Sequence, residues 1–324
     1  MGELIRVERL KKYFANPAGM LHAVDDVSFT INEGGTLGVV GESGCGKSTL
    51  GRVVLKLIEP TDGRIFFDGR DITNISEQES LQLRREMQII FQDPYSSLNP
   101  RMCVSDLIAD PLKVFRVYST KDRQKKVFEL MDMVGLARRY AYSYPHELDG
   151  GRRQRIGVAR ALALSPKFIV CDEPVSALDV SIQAQILNLL QDLQQQQGLT
   201  YIFVTHDLSV VKHISNDILV MYLGVMVEKC PAESLFEMPL HPYTKGLLSA
   251  IPIPTIGRKK KRVELMGELS SPIEPKNECR FLQRCRYASE LCSHEAPTYE
   301  EILPNHFVSC HNARELNDIH GTDG

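Results

Sequence analysis

The segment Gly41-Glu-Ser43-Gly44-Cys45-Gly46-Lys47-Ser48-Thr49 fits the pattern G-x-x-x-x-G-K-[ST]. Glycines at these positions let backbone amides wrap closely around phosphate oxygens, and a helix opening just beyond adds partial positive charge. Lys47 is suited to the β- and γ-phosphates of a nucleotide and the Ser48 hydroxyl to a Mg²⁺ shell. Cys45 within the loop reads either as a redox-sensitive thiol or as a tolerated small residue. A second group follows an apolar run at 168–172: Asp172 is placed to orient Mg²⁺, and Glu173, pointing differently, to accept a proton from an attacking water. Alone, such an acid pair reads equally well as a solvated turn; downstream of a phosphate loop it reads as the rest of a hydrolytic site. His206 and Gln92 each end a further apolar run. The imidazole is expected at the terminal phosphate, holding water and Glu173 in register, and the amide at Mg²⁺ or water.

These groups need elements that converge. Apolar runs at 35–41, 87–92, 168–172 and 200–205 predict buried strands of an α/β domain with a largely parallel sheet. Ligands of such sheets bind beyond the carboxyl ends of the strands, where all four runs terminate in polar residues. Residues 93–165 read as an inserted helical subdomain, with an amphipathic helix over 121–134. The Gln-rich residues 194–197 end a helix that starts near Asp179. Proline and charge rise after Pro239, and a boundary near there predicts a domain over 1–236 and an extension over 237–324.

The chain has 324 residues, 43% of them hydrophobic, enough for a substantial core. A formal net charge of −3 gives no global field for nucleic acid. The N-terminus shows no secretory pattern, the apolar runs are too short to span a bilayer, and no lipidation signal is present, so any membrane role is expected to act through partners. Four of the eight cysteines, Cys279, Cys285, Cys292 and Cys310, crowd the C-terminal end. Without an export signal, metal ligation or buried thiols are expected rather than disulfides. The run Arg258-Lys-Lys-Lys-Arg262 reads as a solvated linker or an anion contact.

Leu148-Asp149-Gly150-Gly151-Arg152-Arg-Gln-Arg-Ile-Gly-Val-Ala-Arg-Ala-Leu resembles the signature segment of ABC ATPases. The resemblance implies a P-loop NTPase of ABC type with an antiparallel β subdomain, in which two subunits pair head to tail and each signature loop caps the other's ATP. It makes Gln92 the Q-loop, 176–179 with Asp179 the D-loop, His206 the switch histidine and Tyr13 an adenine-stacking aromatic.

Asp93-Pro-Tyr-Ser-Ser-Leu-Asn-Pro100, His241-Pro-Tyr-Thr-Lys-Gly-Leu-Leu and Cys279-Arg-Phe-Leu-Gln-Arg-Cys285 look like the oligopeptide/dipeptide importer ATPases, a group that also serves nickel, glutathione and some sugar systems. That likeness implies a peripheral subunit on the cytoplasmic face of the cell membrane that uses ATP and Mg²⁺. Its partners would be two transmembrane permease subunits, a second ATPase subunit and an extracytoplasmic solute-binding protein, with no nucleic acid. The alternatives are a soluble ABC ATPase acting on ribosomes or DNA and a non-catalytic regulatory subunit that binds ATP only to signal. For the four tail cysteines the likeness implies a [4Fe-4S] cluster, with Zn²⁺ or unligated thiols as alternatives; their spacing alone leaves the choice open.

Asp149 departs from the usual signature, which has serine there. Either residue caps a helix, but an ionised Asp149 about 4 Å from a γ-phosphate is repelled by roughly 4 kcal/mol at an effective dielectric near 20. Arg152 or Arg153 is placed to compensate. The departure suggests a heterodimer with unequal ATP sites.

Overall fold

The computed structural model describes residues 2–251, 267 and 271–319; the basic run 258–262 lies outside them. Its contacts divide the chain into two compact units. One contains Asn32–Gly35 and Asn74–Val204, the other Glu3–Ile31, Thr36–Thr73 and the residues from Thr205 onward.

In the first unit three parallel strands run side by side, Thr200–Val204, Phe168–Asp172 and Met87–Ile90, with Asp172 opposite Val204 and Ile90 opposite Cys171. Every residue of Phe168–Asp172 and Thr200–Val204 is buried, as expected of parallel strands covered on both faces. The strand expected over 87–92 stops two residues early. Asp93 turns the chain there, its carboxylate accepting the Tyr95 amide (2.8 Å) at the start of the short helix Pro94–Ser97. The helices Val104–Val114, Thr120–Met133 and Gly150–Leu162 follow, with no strand among the described residues between 93 and 165. Thr120–Met133 lies one residue N-terminal of the expected 121–134 because Ser119 caps it, accepting the Asp122 amide (3.2 Å). The long helix Val180–Gln197 is capped by Asp179 and ended by Gly198 at φ +66°.

The second unit holds two sheets. One is antiparallel, in the order Gly19–Asn32, Glu3–Asn16, Asp62–Phe67, Arg70–Asp71. A register shift between Glu8 and Lys11 resets its alternation, so that Val7 and Leu10, three apart, are both buried. The other runs in the order Glu300–Leu303, His306–Val308, Val225–Pro231, Asp217–Tyr222, Thr36–Val40. Thr36–Val40 and Asp217–Tyr222 pair in parallel; the remaining pairs are antiparallel. The C-terminal residues thus extend this sheet and bury a small core of Leu240, Ile302, Val308 and Ala313.

One carboxylate fastens that extension. Glu228 is fully buried and accepts the amides of Leu240 (2.7 Å) and His241 (3.0 Å) and a bond from His306 Nε2 (2.7 Å). His241 in turn caps the helix Pro242–Ser249, its Nδ1 accepting the Tyr243 amide (3.0 Å). Burial depresses the His241 imidazole to about 4, which keeps that nitrogen an acceptor.

Candidate active site

In the second unit, the strand Thr36–Val40 runs into Gly41–Gly46, and the helix Lys47–Val54 begins directly after. The loop requires its glycines. Gly41 has φ +150°, and a Cβ there would lie 2.2 Å from the Met221 carbonyl oxygen; Gly46 has φ +104°, and a Cβ would lie 2.0 Å from that of Ala23. Lys47 is buried, its amine donating to the carbonyls of Gly41 (2.8 Å) and Glu42 (2.9 Å). The result is a narrow cradle of backbone around a buried cation, which fits a phosphate chain.

Ser43 and Gly44 are exposed at its tip, and Ser48 and Thr49 are half-buried in the first turn of the helix. Cys45 is fully buried, and burial pushes its thiol up, so it lacks the thiolate character of a redox sensor. Tyr13 lies on Glu3–Asn16, stacked on His22 with ring centres 3.8 Å apart, and its hydroxyl donates to Asp25 (2.5 Å). Burial and the Asp25 carboxylate both raise the Tyr13 pKa, so the phenol stays protonated. Burial alone would raise Asp25, but bonds from Tyr13 and His22 and the charge of Arg280 hold it below the usual carboxylate range. His206 is exposed one residue past Thr205, whose amide donates to Val39 O (3.1 Å).

In the first unit, Asp172 is buried at the carboxyl end of its strand. Glu173 follows in the left-handed region at φ +48°, with its amide donating to Val204 O (3.0 Å). That conformation is costly for a non-glycine residue and turns the second carboxyl away from the first. Gln92 Nε2 donates to Glu173 Oε2 (2.7 Å), joining two of the expected site residues across 81 positions of chain.

Asp149 caps Gly150–Leu162 by accepting the Arg152 amide (2.8 Å), and its other oxygen pairs with the Arg152 guanidinium. Arg153 instead donates to Pro145 O (2.6 Å) and lies over the Tyr95 ring. Gly150 and Gly151 approach Leu178 and Ile182, where a Cβ would come to 3.0 and 2.7 Å. Asp179 is exposed, capping the next helix through the Ile182 amide (3.0 Å).

The tail thiols feel one another. Burial pushes Cys279 up to about 12, Cys310 to about 11 and Cys285 in the same direction, and neighbouring thiols of the set add to each. Cys279 N donates to Cys292 O (2.8 Å). Among the described residues, the metal-capable side chains with ligand atoms within 4.8 Å of one another are Glu228, Cys230 and His306, not the tail thiols. A tetrahedral zinc–thiolate site sets its sulfurs about 3.8 Å apart. The sequence did not signal the Glu228 cluster. Its carboxylate already accepts three hydrogen bonds, so it acts as a fastener.

Comparison with known proteins agrees with both resemblances. Residues 24–176 match the family described as "ABC transporter", and residues 227–292 match "Oligopeptide/dipeptide transporter, C-terminal region". The chain is 52% identical over 312 residues to the "Putative oligopeptide transport ATP-binding protein YkfD" of Bacillus subtilis, covering 95% of each chain. It is 50% identical over 303 residues to the "Oligopeptide transport ATP-binding protein OppF" of Salmonella typhimurium, covering 93% of this chain and 90% of that one. Among solved structures, a dimeric ATP-binding cassette in a post-hydrolysis state bound to ADP and Pi aligns at a TM-score of 0.64 and 29% identity, over 71% of this chain and 99% of the other.

Proposed function

The chain belongs to the ABC transporter family, among its oligopeptide transport ATP-binding proteins, and from that premise we propose a division of labour among its residues as the ATP-hydrolysing subunit of a peptide importer. The observation that carries the peptide assignment is 52% identity along 95% of the chain, including the C-terminal region.

The amides of residues 41–49 and the buried Lys47 hold the phosphates of ATP, and Tyr13 stacks on its base. Ser48, Asp172 and Gln92 are the Mg²⁺ residues; the ion, when bound, screens phosphate charge. Glu173 takes a proton from the attacking water, oriented by Gln92 at 2.7 Å and aided by His206. Residues 149–151 and Asp179 serve the ATP of a second ATPase subunit, with Asp149 making the two sites of a heterodimer unequal. The Asp149–Arg152 pair supports a softened form of that asymmetry, since the carboxylate's charge is met within its own turn.

Among the described residues no helix is long and apolar enough to cross a membrane, so transport requires permease subunits. We place the subunit peripherally on the cytoplasmic face, working with a solute-binding protein on the other side. Residues 1–236 are read as the nucleotide-binding domain, with the helical subdomain over 93–165, and 237–324 as the extension. Cys279, Cys285, Cys292 and Cys310 are read as ligands of a [4Fe-4S] cluster, with Zn²⁺ as the alternative; what supports a shared site is that the thiols of the set influence one another.

Peptide uptake and ATP turnover by the complete transporter in proteoliposomes test the function. Dependence of both on this subunit and on Glu173 is expected; uptake undiminished by Glu173→Gln would refute it. Iron analysis and a visible spectrum of anaerobically purified protein test the cluster, and an iron-free, colourless protein would refute it.

A further inference from the structure

Between two of the tail thiols, Cys279-Arg280-Phe281-Leu282-Gln283-Arg284-Cys285 carries two arginines. Both reach elements of the same unit that lie more than 240 positions earlier in the chain. Arg284 grips Glu42, the second residue of the phosphate loop, with two parallel bonds: Nη1 to Oε2 at 2.6 Å and Nη2 to Oε1 at 3.1 Å. Arg280 donates to Asp25 Oδ2 (2.5 Å) and to the Leu223 carbonyl (3.1 Å), and Asp25 Oδ1 is the acceptor that holds the Tyr13 hydroxyl.

We propose that Arg284 and Arg280 are positioning residues of the ATP site: Arg284 neutralises and fixes the Glu42 carboxylate within the phosphate loop, and Arg280 fixes the Asp25 carboxylate that orients Tyr13. The inference rests on the reading of residues 41–49 and Tyr13 as ATP-binding.

A carboxylate inside an anion-binding loop opposes the loop's purpose unless a cation is committed to it. The Arg284 side chain is only 7% exposed and Glu42 23%, so water screens this pair weakly. The remainder of Glu42 is also held. Its amide donates to Tyr243 Oη (2.9 Å), and its carbonyl accepts Lys47 (2.9 Å). Once the Lys47 amine turns to phosphate, that carbonyl keeps the longer bond from the Cys45 amide (3.3 Å), and Arg284 and Tyr243 add side-chain contacts that hold the loop in shape. At Tyr13 the logic is orientational. The ring is fixed by stacking on His22 and by its hydroxyl on Asp25, whose carboxylate also accepts from His22 (3.0 Å).

The full chain, assembled with its permease partners, is titrated with MgATP and separately with magnesium tripolyphosphate, which has the phosphates but no base. Arg284→Gln is expected to weaken both ligands about tenfold and to raise KM for ATP equally, with kcat within about twofold. Adding Glu42→Gln to Arg284→Gln should restore binding to within about threefold, because the uncompensated charge is gone, and Arg284→Lys should fall between. Arg280→Gln should weaken MgATP and leave tripolyphosphate unchanged. A brace with no electrostatic role predicts no rescue, so a double variant that melts normally yet binds as poorly as Arg284→Gln overturns the proposal, as does wild-type binding by Arg284→Gln. Failure of the unaltered assembly to bind MgATP would instead overturn the ATP-site reading itself, and this inference with it.

Discussion

Around residues 41–49 the charged side chains are committed within their own unit, Lys47 to two loop carbonyls and Glu42 to Arg284, and nearby Tyr13 is committed to Asp25. Around residues 149–152 the committed groups stand in solvent, with the Asp149 and Arg152 side chains 56% and 43% exposed, and Gln92 and Asp179 are exposed as well. The phosphate loop thus has its charged side chains held in place by neighbours, whereas the signature turn has its helix start fixed by a cap and its charges left accessible. The first arrangement suits a ligand bound by one subunit. The second suits a surface completed by another.

The comparison is sharpened most by separating binding from turnover. Glu173→Gln should cut ATP hydrolysis in the assembled transporter by about 10²- to 10⁴-fold while MgATP affinity stays near wild type, as measured by steady-state turnover beside equilibrium titration. Joint loss of both would erase the distinction between the two regions.

Next comes acid sensitivity, expected where His241 is buried. Its folded pKa is about 4 against an ordinary 6.5, so between those values the unfolded chain takes up a proton that the native chain refuses. Stability is complete above 6.5 and is lost as pH falls towards 4, by about 3 kcal/mol over the full interval. Thermal unfolding followed against pH should show this slope, and His241→Asn, which keeps a capping acceptor, should flatten it.

A smaller effect is expected at the buried cation: Lys47→Ala should weaken MgATP binding by about ten- to a hundredfold, read by titration, since a charge-assisted bond is worth about 1.5 to 3 kcal/mol. Smallest is the cap. Asp149→Ala should cost about 1 kcal/mol, whereas Asp149→Ser should hold within a few tenths by chemical denaturation. In the assembled transporter the same serine variant should even out hydrolysis between unequal sites; equal hydrolysis at both sites, unchanged by Asp149→Ser, would remove the asymmetry.

What the sequence disclosed was what is local. Apolar runs bounded by polar residues marked the strands Thr36–Val40, Phe168–Asp172 and Thr200–Val204 to within a residue, because buried parallel strands are continuous in apolar content. Residue type alone indicated that Asp149 would cap its helix and that an arginine beside it would meet the charge, both contacts spanning three positions. The braces were not legible. Glu42 and Arg284 lie 242 positions apart, and Glu228 and His306 lie 78 apart, with no periodicity linking either pair. Tyr13 was singled out as a stacking aromatic, but its neighbour His22 comes from the adjacent antiparallel strand, and nothing in the run of residues around it announced that pairing.

The reach of Arg284 back to Glu42 also bears on how the molecule is made. A ribosome releases the phosphate loop early, yet the guanidinium that secures it emerges only after 242 further residues. Throughout that interval the nascent loop carries an unmatched carboxylate, so a chain truncated before residue 284 lacks the grip on Glu42. On the proposed role of Arg284, the loop gains this brace only when the cysteine-bearing tail arrives.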